Sequence, residues 1–344
     1  MRFKAAILEY IKKPLFVDFI DSKDLEEGQV LVKINETGIC RSQIFEVEGE
    51  RGEDKWLPHL LGHEGIGEVV EIGSGVTTVK KGDNVVLSWI KSKGLSAKPA
   101  QYKWGNKVVN SGRVTTFSEY TVCSEDRCIA ISKKFTDIIG PSLGCALPTG
   151  YGISLTLNNK EKINNAAVIG LGGIGLSALL GVKNEIKAKV FSIDINENRL
   201  TEAKLLGSDY IINPKKISNI KDYISSKTNG NLLDLVIECT GNVTALEKCM
   251  ELINNSGIVK FATHPKFGDL LKIDPFELIL GKKIEGSWGG GVYPDTHLPL
   301  IANKTSKNRK FCDFYKSKYY TLDEINLAFE DLKSGRVLRP IIKF

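Results

Sequence analysis

The stretch Ala166-Ala167-Val168-Ile169-Gly170-Leu171-Gly172-Gly173-Ile174-Gly175 decides the fold of the second half of the chain. Its apolar start predicts a buried strand, and the GxGxxG pattern that follows predicts a tight turn into a helix. Glycines let the backbone approach a pyrophosphate, and a helix N-terminus stabilises that negative charge. The alternative is a glycine-rich turn that binds nothing. We predict a dinucleotide site at Gly170, Gly172, Gly173, Ile174 and Gly175.

An acidic residue after the next strand indicates which dinucleotide binds. Lys189–Ile193 reads as that strand, and Asp194 ends it. A carboxylate there accepts hydrogen bonds from the adenosine ribose and repels a 2′-phosphate. We therefore expect NAD as the cofactor. Arg199 follows shortly afterwards and is a candidate contact for a phosphate, so NADP stays the alternative.

The order of predicted strands and helices outside this stretch indicates an α/β protein with two domains. From about residue 148 onward, apolar runs alternate with helical segments, which is typical of a doubly wound parallel sheet. Before that point, short strands separated by Gly, Asp and Asn turns favour a β barrel or sandwich. We predict a first domain over 1–147, a dinucleotide domain over 148–290, and a segment over 291–344 that completes the first domain.

Composition excludes several classes of protein. The chain has 344 residues, 42% hydrophobic and 26% charged, which is ordinary for a globular protein. No apolar run reaches the length of a membrane span, and no signal peptide is recognised, so we expect a cytoplasmic protein without a membrane partner. The seven cysteines indicate reduced thiols rather than a disulfide framework. The basic residues behind the net charge of +6 are scattered as pairs, which argues against a nucleic-acid partner.

Three residues in glycine-bounded loops form a candidate metal site. They are Cys40, His63 and Cys145. Two thiolates and one imidazole are the ligand types of a catalytic zinc that keeps its fourth position open. Taken singly, a cysteine is more often a buried small hydrophobe and a histidine a structural residue. Glu64, directly after His63, adds a carboxylate beside the site.

At this point the chain resembles the zinc-dependent alcohol dehydrogenases of the medium-chain dehydrogenase/reductase family. It is most similar to the class that includes glutathione-dependent formaldehyde dehydrogenase. The resemblance implies a GroES-like catalytic domain and a Rossmann cofactor domain, with zinc on Cys40, His63 and Cys145. The matching stretches are 38–42, 62–67, 82–83, 144–152, 170–177, 194–196, 238–242 and 336–344.

The resemblance also implies the roles of further residues. Glu64 approaches the metal as water or substrate exchanges, and Ser42 receives the proton of the alcohol, although Ser42 as a helix cap is the plainer alternative. The expected cofactor contacts beyond the glycine turn are Arg41, Thr149, Cys239, Thr240 and Arg339. The expected substrate-pocket residues are Phe45, Trp56 and Trp89, with Trp56 in the core as the alternative.

Two departures from the family pattern carry expectations of their own. Many members hold a structural zinc on four closely spaced cysteines, and the matching region here, 88–117, contains none. We therefore predict one zinc per chain and no structural zinc. Phe45 replaces the histidine of the family's proton relay, and Gln43 replaces a carboxylate that supports the zinc-bound histidine. The proton is then expected to leave from Ser42 through the ribose hydroxyl to water.

The function expected from these features is reversible hydride transfer between a small alcohol or aldehyde and NAD. Polyol or sugar dehydrogenase is one alternative. S-(hydroxymethyl)glutathione dehydrogenase is another, and it requires anion-binding residues such as Arg113 or Lys93. A catalytically silent nucleotide-binding protein with a structural zinc is a third. The resemblance further implies a homodimer or homotetramer that pairs through 284–288, and the glycines at 289–291 are either a hinge or an ordinary loop.

Overall fold

The computed structural model describes residues 1–316 and 318–344, which form two compact units. The first unit comprises Met1–Cys145 and Tyr293–Phe344, and the second comprises Ala146–Val292. The sequence places these boundaries at 147/148 and 290/291, and the structure places them at 145/146 and 292/293. No helix in the described ranges is long and apolar enough to cross a membrane.

The first unit is built on ten strands and two helices from the N-terminal part of the chain. The strands are β1 (Arg2–Leu8), β2 (Phe16–Ser22), β3 (Gln29–Gly38), β4 (His59–Leu60), β5 (Glu64–Ile72), β6 (Asn84–Ser88), β7 (Gln101–Trp104), β8 (Lys107–Asn110), β9 (Tyr120–Ser124) and β10 (Cys128–Ala130). The helices are α1 (Arg41–Val47) and α2 (Lys133–Ile139). Strands β1, β2, β7, β8 and β4 close a barrel. The β7–β8 hairpin lies within the region 88–117, which contains no cysteine.

The second unit is a six-stranded parallel sheet covered by helices. Its strands are β11 (Asn165–Ile169), β12 (Lys189–Ile193), β13 (Tyr210–Ile212), β14 (Leu233–Glu238), β15 (Ile253–Phe261) and β16 (Lys283–Gly286). Its helices are α3 (Ala146–Thr156), α4 (Gly173–Gly181), α5 (Glu197–Leu205), α6 (Ile220–Lys227), α7 (Val243–Leu252) and α8 (Pro275–Ile279). The strand order β13-β12-β11-β14-β15-β16 is that of a dinucleotide-binding fold, and the doubly wound sheet predicted from the sequence is confirmed.

The last part of the chain completes the first unit. Its elements are α9 (Pro294–Thr305), α10 (Arg309–Tyr315), β17 (Tyr319–Tyr320), α11 (Ile325–Lys333) and β18 (Ile341–Lys343). Strand β18 pairs antiparallel with the end of β3, with Ile341 opposite Gly38. This brings β18 beside the chain that leads into Cys40. The second sheet of the unit runs β10-β6-β5-β3-β18-β17, with β9 also paired to β3.

Each unit has its own apolar core, and the burial pattern explains why these segments form strands. In β3, the β-branched residues Val30, Val32 and Ile34 are fully buried in one apolar cluster, while Leu31 points to the other face and is buried in a second cluster. In the second unit, the central strands are buried on both faces, as in β14 from Leu235 to Ile237. Burial on both faces is expected for a parallel sheet between two helical layers.

Candidate metal centre and cofactor site

Three loops of the first unit bring Cys40, His63 and Cys145 together. Cys40 directly precedes α1, His63 lies between β4 and β5, and Cys145 follows a short 3₁₀ turn at Pro141–Gly144. Their ligand atoms lie within 4.8 Å of one another. Tetrahedral zinc with bonds of about 2.3 Å to sulfur and about 2.0 Å to nitrogen separates its ligands by roughly 3.5–3.8 Å. The three residues therefore fit one zinc ion, and they leave one corner for water or substrate.

Glycine is required at two points where the chain passes this site. Gly62 has a φ of +91°, and a Cβ there would lie 2.3 Å from Thr116 Oγ1. A Cβ on Gly144 would lie 2.2 Å from the carbonyl oxygen of Leu87. A side chain at either position would displace the ligand that follows it in sequence. This is the physical reason for the glycine-bounded loops noticed in the sequence.

The electrostatic environment favours a thiolate at the first cysteine. Contact with Cys145, followed by the Arg339 guanidinium and His63, lowers the pKa of Cys40 well below its ordinary value. The same contact together with burial raises the pKa of Cys145, because the two sulfurs share one proton. Burial disfavours the His63 cation, but the Cys40 sulfur and the Glu64 carboxylate raise the pKa of His63. A divalent cation would replace these protons and draw both sulfurs into the thiolate form.

Glu64 and Arg339 form a buried ion pair next to the ligand set. Arg339 Nε and Nη2 each donate to a Glu64 carboxylate oxygen at 2.6 Å, and the two residues are 4% and 0% exposed. Burial opposes the guanidinium cation, but Glu64 and the two cysteines raise the pKa of Arg339 well above its usual range. The structure thus gives each residue a partner that the sequence did not predict. An approach of Glu64 to the metal requires one arm of this pair to open.

The residues after Cys40 occupy the first turn of α1. Ser42 is half-buried, and its Oγ has no hydrogen-bond partner among the described residues. This oxygen is therefore available to accept a proton from a ligand. Gln43 is fully buried, and its Oε1 accepts from the Cys40 N–H at 2.8 Å. Gln43 therefore supports the cysteine loop. Arg41 is exposed at the start of the helix, and Phe45 is half-buried.

The glycine turn of the second unit has the geometry of a pyrophosphate loop. Gly170 follows β11 with a φ of +84°, and α4 begins at Gly173. A Cβ on Gly175 would lie 1.8 Å from the Gly170 carbonyl oxygen, so only glycine allows the helix to start this close to the strand. A Cβ on Gly172 would meet nothing within 4 Å, which leaves open space over the turn. Ile174 lies between these glycines in the first turn of α4.

Asp194 and Arg199, the two residues expected to decide between NAD and NADP, are both held in place by hydrogen bonds. Asp194 Oδ2 accepts from the Leu171 N–H at 2.6 Å, and its Oδ1 accepts from the Asn196 N–H at 2.8 Å. The carboxylate is thereby fixed beside the glycine turn. Arg199 is turned towards its own helix, since its Nη1 donates to Glu202 at 2.8 Å.

The other predicted cofactor residues of the second unit lie in two places. Cys239 and Thr240 follow β14, and a Cβ on Gly170 would come within 2.5 Å of Thr240 Cγ2, so this corner packs against the glycine turn. Burial raises the pKa of the Cys239 thiol. Thr149 lies in α3 and is 2% exposed, and its Oγ1 lacks a hydrogen-bond partner in the part of the chain that the structure describes.

A cavity of about 820 Å³ in the first unit includes His63 in its wall. Trp56 also lines it and is 69% exposed, so the alternative of a core tryptophan is wrong. The Trp56 carbonyl accepts from Asn110 Nδ2 at 2.8 Å, which fixes the backbone of this tryptophan at the rim. Trp89 is half-buried, and its carbonyl accepts from Arg127. Trp89 and Phe45, the other two expected substrate-pocket residues, do not line this cavity.

The sequence did not predict the carboxylates that organise the region without cysteines. Glu125 is fully buried and accepts from the N–H groups of Thr77, Thr78 and Leu95 at 2.6–2.7 Å. Asp126, also fully buried, accepts from Ser124 Oγ at 2.7 Å and from Ser96. Two adjacent acidic residues after a strand are the sequence signal for this anchor, and apart from Ser124 their partners come from distant loops.

Comparisons with known proteins agree with this geometry. Residues 26–133 match the family model described as the alcohol dehydrogenase GroES-like domain, and residues 173–303 match the one described as zinc-binding dehydrogenase. The chain is 30% identical to an alcohol dehydrogenase class-3 of Dictyostelium discoideum, over 98% of this chain and 97% of that protein. It is 29% identical to an S-(hydroxymethyl)glutathione dehydrogenase of Synechocystis, over the full length of both.

A solved structure of similar shape is benzyl alcohol dehydrogenase of Acinetobacter calcoaceticus. It superposes with a TM-score of 0.88 at 26% identity, over 100% of this chain and 99% of that one. The fold predicted from the sequence, a GroES-like domain with a Rossmann domain, is therefore confirmed. Together with the relatives that match along the whole chain, these findings identify an oxidoreductase of the alcohol dehydrogenase type. The chain belongs to the zinc-dependent alcohol dehydrogenases of the medium-chain dehydrogenase/reductase family.

Proposed function

We propose that this protein oxidises a neutral alcohol with NAD, and reduces the matching aldehyde or ketone, at a single zinc held by Cys40, His63 and Cys145. The observation that carries the proposal is the convergence of these three ligand atoms within 4.8 Å. A structural zinc normally has four protein ligands, so a set of three favours catalysis over a silent binding protein.

When bound, zinc acts as a Lewis acid that lowers the pKa of an alcohol from about 16 towards neutrality, and NAD accepts the hydride. The chain's own groups manage the proton. Ser42 Oγ, which has no partner among the described residues, accepts it. Phe45 offers no base to receive it from Ser42. From Ser42, the ribose hydroxyl of a bound cofactor would offer the proton a route to water.

The preference for NAD is supported by Asp194 and Arg199. The Asp194 carboxylate is fixed beside the glycine turn by two N–H donors, and its charge repels a 2′-phosphate. Arg199, the candidate contact for that phosphate, is bound to Glu202. Discrimination by a fixed negative charge does not depend on the substrate. The preference should therefore hold for every alcohol that the enzyme accepts.

A single zinc per chain is supported by the anchoring of the region 88–117. In the parts of the chain that the structure describes, the only group of three clustered metal-ligand residues is the catalytic set. Glu125 and Asp126 tie the loop around Leu95 and Ser96 to the turn that follows β9, in a region where many relatives use cysteines and a second zinc. We infer that these two carboxylates hold the region in place without a second metal ion.

A two-fold dimer through the second unit is supported by its exposed sheet edge. Strand β16 pairs only with β15 among the described strands, and an unpaired edge is a liability in a monomer. Ile279 and Trp288, on either side of β16, are 79% and 80% exposed. Pairing of two β16 strands would cover both. Sedimentation analysis tests this, with a tetramer as the alternative assembly.

Competing substrates come from the relatives, some of which are S-(hydroxymethyl)glutathione dehydrogenases. An anionic substrate of that kind needs free cations at the pocket. Lys93 is paired with Asp295 at 2.9 Å, and Arg113 lies 3.7 Å from Asp126. Both candidate cations are thus engaged elsewhere, which favours a neutral alcohol.

Purified protein loaded with zinc tests the proposed function directly. We expect NADH fluorescence to decay when an aldehyde is added, with little decay of NADPH, and we expect a chelator to abolish the decay. Metal analysis should give one zinc per chain. A Cys40→Ser variant should lose both the zinc and the activity, whereas Cys312→Ser, at a buried cysteine outside the site, should keep both. Activity that survives complete removal of the metal would refute the proposal.

A further inference from the structure

The cavity beside His63 combines a largely apolar lining surface with many polar side chains. More than half of its lining residues carry polar or charged side chains, and its volume is about 820 Å³. Small residues such as Gly112 and Ala100 widen it, so it holds more than a short aliphatic alcohol. Such a wall can accommodate apolar parts of a ligand, and a ligand that also makes hydrogen bonds with the polar side chains should bind more tightly.

Arg51 and His59, two basic side chains of this cavity, have partners within its wall. Arg51 is paired with Glu46. His59 Nδ1 lies 2.9 Å from the Leu60 carbonyl oxygen, and His59 Nε2 lies 2.9 Å from Asp54 Oδ2. Both ring nitrogens of His59 therefore have a partner within the wall, and neither is left for a ligand.

The Asp54 carboxylate is the partner of His59 Nε2. Its other oxygen, Oδ1, accepts from the Trp56 N–H at 3.0 Å, so both oxygens have partners within the wall. Over the whole cavity, acidic side chains outnumber the lysines and arginines, with five Asp and Glu against three Lys and Arg. An anionic ligand gains nothing from such a wall, and a neutral ligand with hydroxyl groups loses nothing.

One hydroxyl group in the wall lacks a partner. Thr115 lines the cavity and is 3% exposed, and its Oγ1 makes no hydrogen bond within residues 1–316 and 318–344. A buried hydroxyl without a partner is unfavourable, so such a group usually meets a ligand or an ordered water. The cavity is the space from which a ligand can reach this residue.

A hydrogen bond and a packing contact, both made by Thr116, connect Thr115 to the segment that carries the metal ligand His63. Thr116 donates its N–H to the Leu61 carbonyl at 3.0 Å, and Thr116 packs against Gly62 so tightly that a Cβ on Gly62 would clash. Thr115 directly precedes Thr116, and His63 directly follows Gly62, so the contact between Thr116 and Gly62 links the two residues. A ligand whose reacting hydroxyl is at the metal can place a second group near Thr115.

We propose that Thr115 is a specificity-determining residue that binds a second hydroxyl group of the substrate, and that the preferred substrate is a neutral alcohol with more than one hydroxyl. This inference rests on the proposed function, because it assumes that the alcohol reacts at the metal. Thr115 both donates to and accepts from that second hydroxyl, which an alcohol with a single hydroxyl does not supply.

The test compares alcohols of one chain length in two matched variants. Thr115→Val keeps the shape and removes the hydroxyl, and Thr115→Ser keeps the hydroxyl. The substrates are 1-propanol, 1,2-propanediol and glycerol with NAD. We expect the wild type to have a higher kcat/KM for the polyhydroxylated alcohols. Thr115→Val should lower the ratio of kcat/KM for glycerol to that for 1-propanol about tenfold, and Thr115→Ser should restore it to within about threefold of the wild type.

A binding measurement separates this inference from the proposed function. Calorimetric titration of glycerol into the zinc-loaded protein with NADH should show weaker binding in Thr115→Val than in Thr115→Ser. Ser306→Ala, just after α9 and outside the cavity wall, should match the wild type in both assays. An unchanged glycerol ratio and unchanged glycerol binding in Thr115→Val would overturn the inference. If no alcohol is oxidised but the binding difference is found, the proposed function fails while the subsite stands.

Discussion

Replacement of Glu125 by glutamine should loosen the region that lacks cysteines. The carboxylate is fully buried and accepts from the N–H groups of Thr77, Thr78 and Leu95, and also from Thr78 Oγ1 at 2.9 Å. A glutamine retains one acceptor oxygen, and its NH2 group then faces an N–H that needs an acceptor. Loss of one charge-assisted hydrogen bond and one unsatisfied buried donor costs about 2–4 kcal/mol.

The pH dependence of this loss has a definite sign. Burial opposes the charged carboxylate, but the N–H donors of Leu95, Thr77 and Thr78 outweigh burial and lower the pKa of Glu125. A group whose pKa is lowered by folding stabilises the protein above its unfolded pKa of about 4.3. That stabilisation disappears as the pH falls through the lower, folded value. The difference between Glu125→Gln and the wild type should therefore be full at pH 7 and shrink towards pH 3–4.

Amide hydrogen exchange and denaturant unfolding measure the effect. In Glu125→Gln, the amides around Leu95 should exchange at least tenfold faster, while those of β14 in the second unit should be unchanged. Glu71→Gln, at an exposed position of β5, is the matched control and should change neither. Equal exchange around Leu95 in Glu125→Gln and in the control would refute the carboxylate anchor. So would a second equivalent of zinc bound by this region.

Three further predictions concern the two sites. Arg339→Met should destabilise the protein by about 3–5 kcal/mol in denaturant unfolding because Glu64 remains buried and unpaired; the added change Glu64→Leu should recover most of the loss, and no recovery would contradict the ion-pair argument. Asp194→Ala should raise kcat/KM with NADPH relative to NADH at least tenfold, and an unchanged ratio of the two would show that another group repels the 2′-phosphate. Phe45→His should raise the rate of alcohol oxidation near and just below neutral pH by supplying a base, and an unchanged pH–rate profile would remove that hypothesis.

The parts of the site that the sequence predicts are those with local signals. Gly62 and Gly144 mark tight approaches next to the ligands, and the GxGxxG turn follows from the clash that any side chain at Gly175 would make with Gly170. Such constraints act within a few residues, so they can be read from sequence. The strand, glycine turn and helix of the second unit belong to the same class of local pattern.

The parts that the sequence misses depend on contacts between distant segments. Arg339 reaches Glu64 from the far end of the chain, and nothing near either residue indicates that pair. Glu125 likewise collects its donors from two other loops. The β7–β8 hairpin escapes notice because its strands are short and polar, and they are recognised as strands only by closing the barrel with β2 and β4.

The pairing of β18 with β3 has a consequence for synthesis of the protein. The second unit is a continuous piece of chain, so it is complete while the polypeptide is still growing on the ribosome. The first unit must wait, because Ile341 is added long after Gly38, its neighbour across the sheet. At roughly 5–20 residues per second, the interval between Cys145 and Ile341 is about 10–40 s. During that time the end of β3, at 36–38, lacks the partner strand that it has in the folded protein, and a chaperone that binds the nascent chain can cover it.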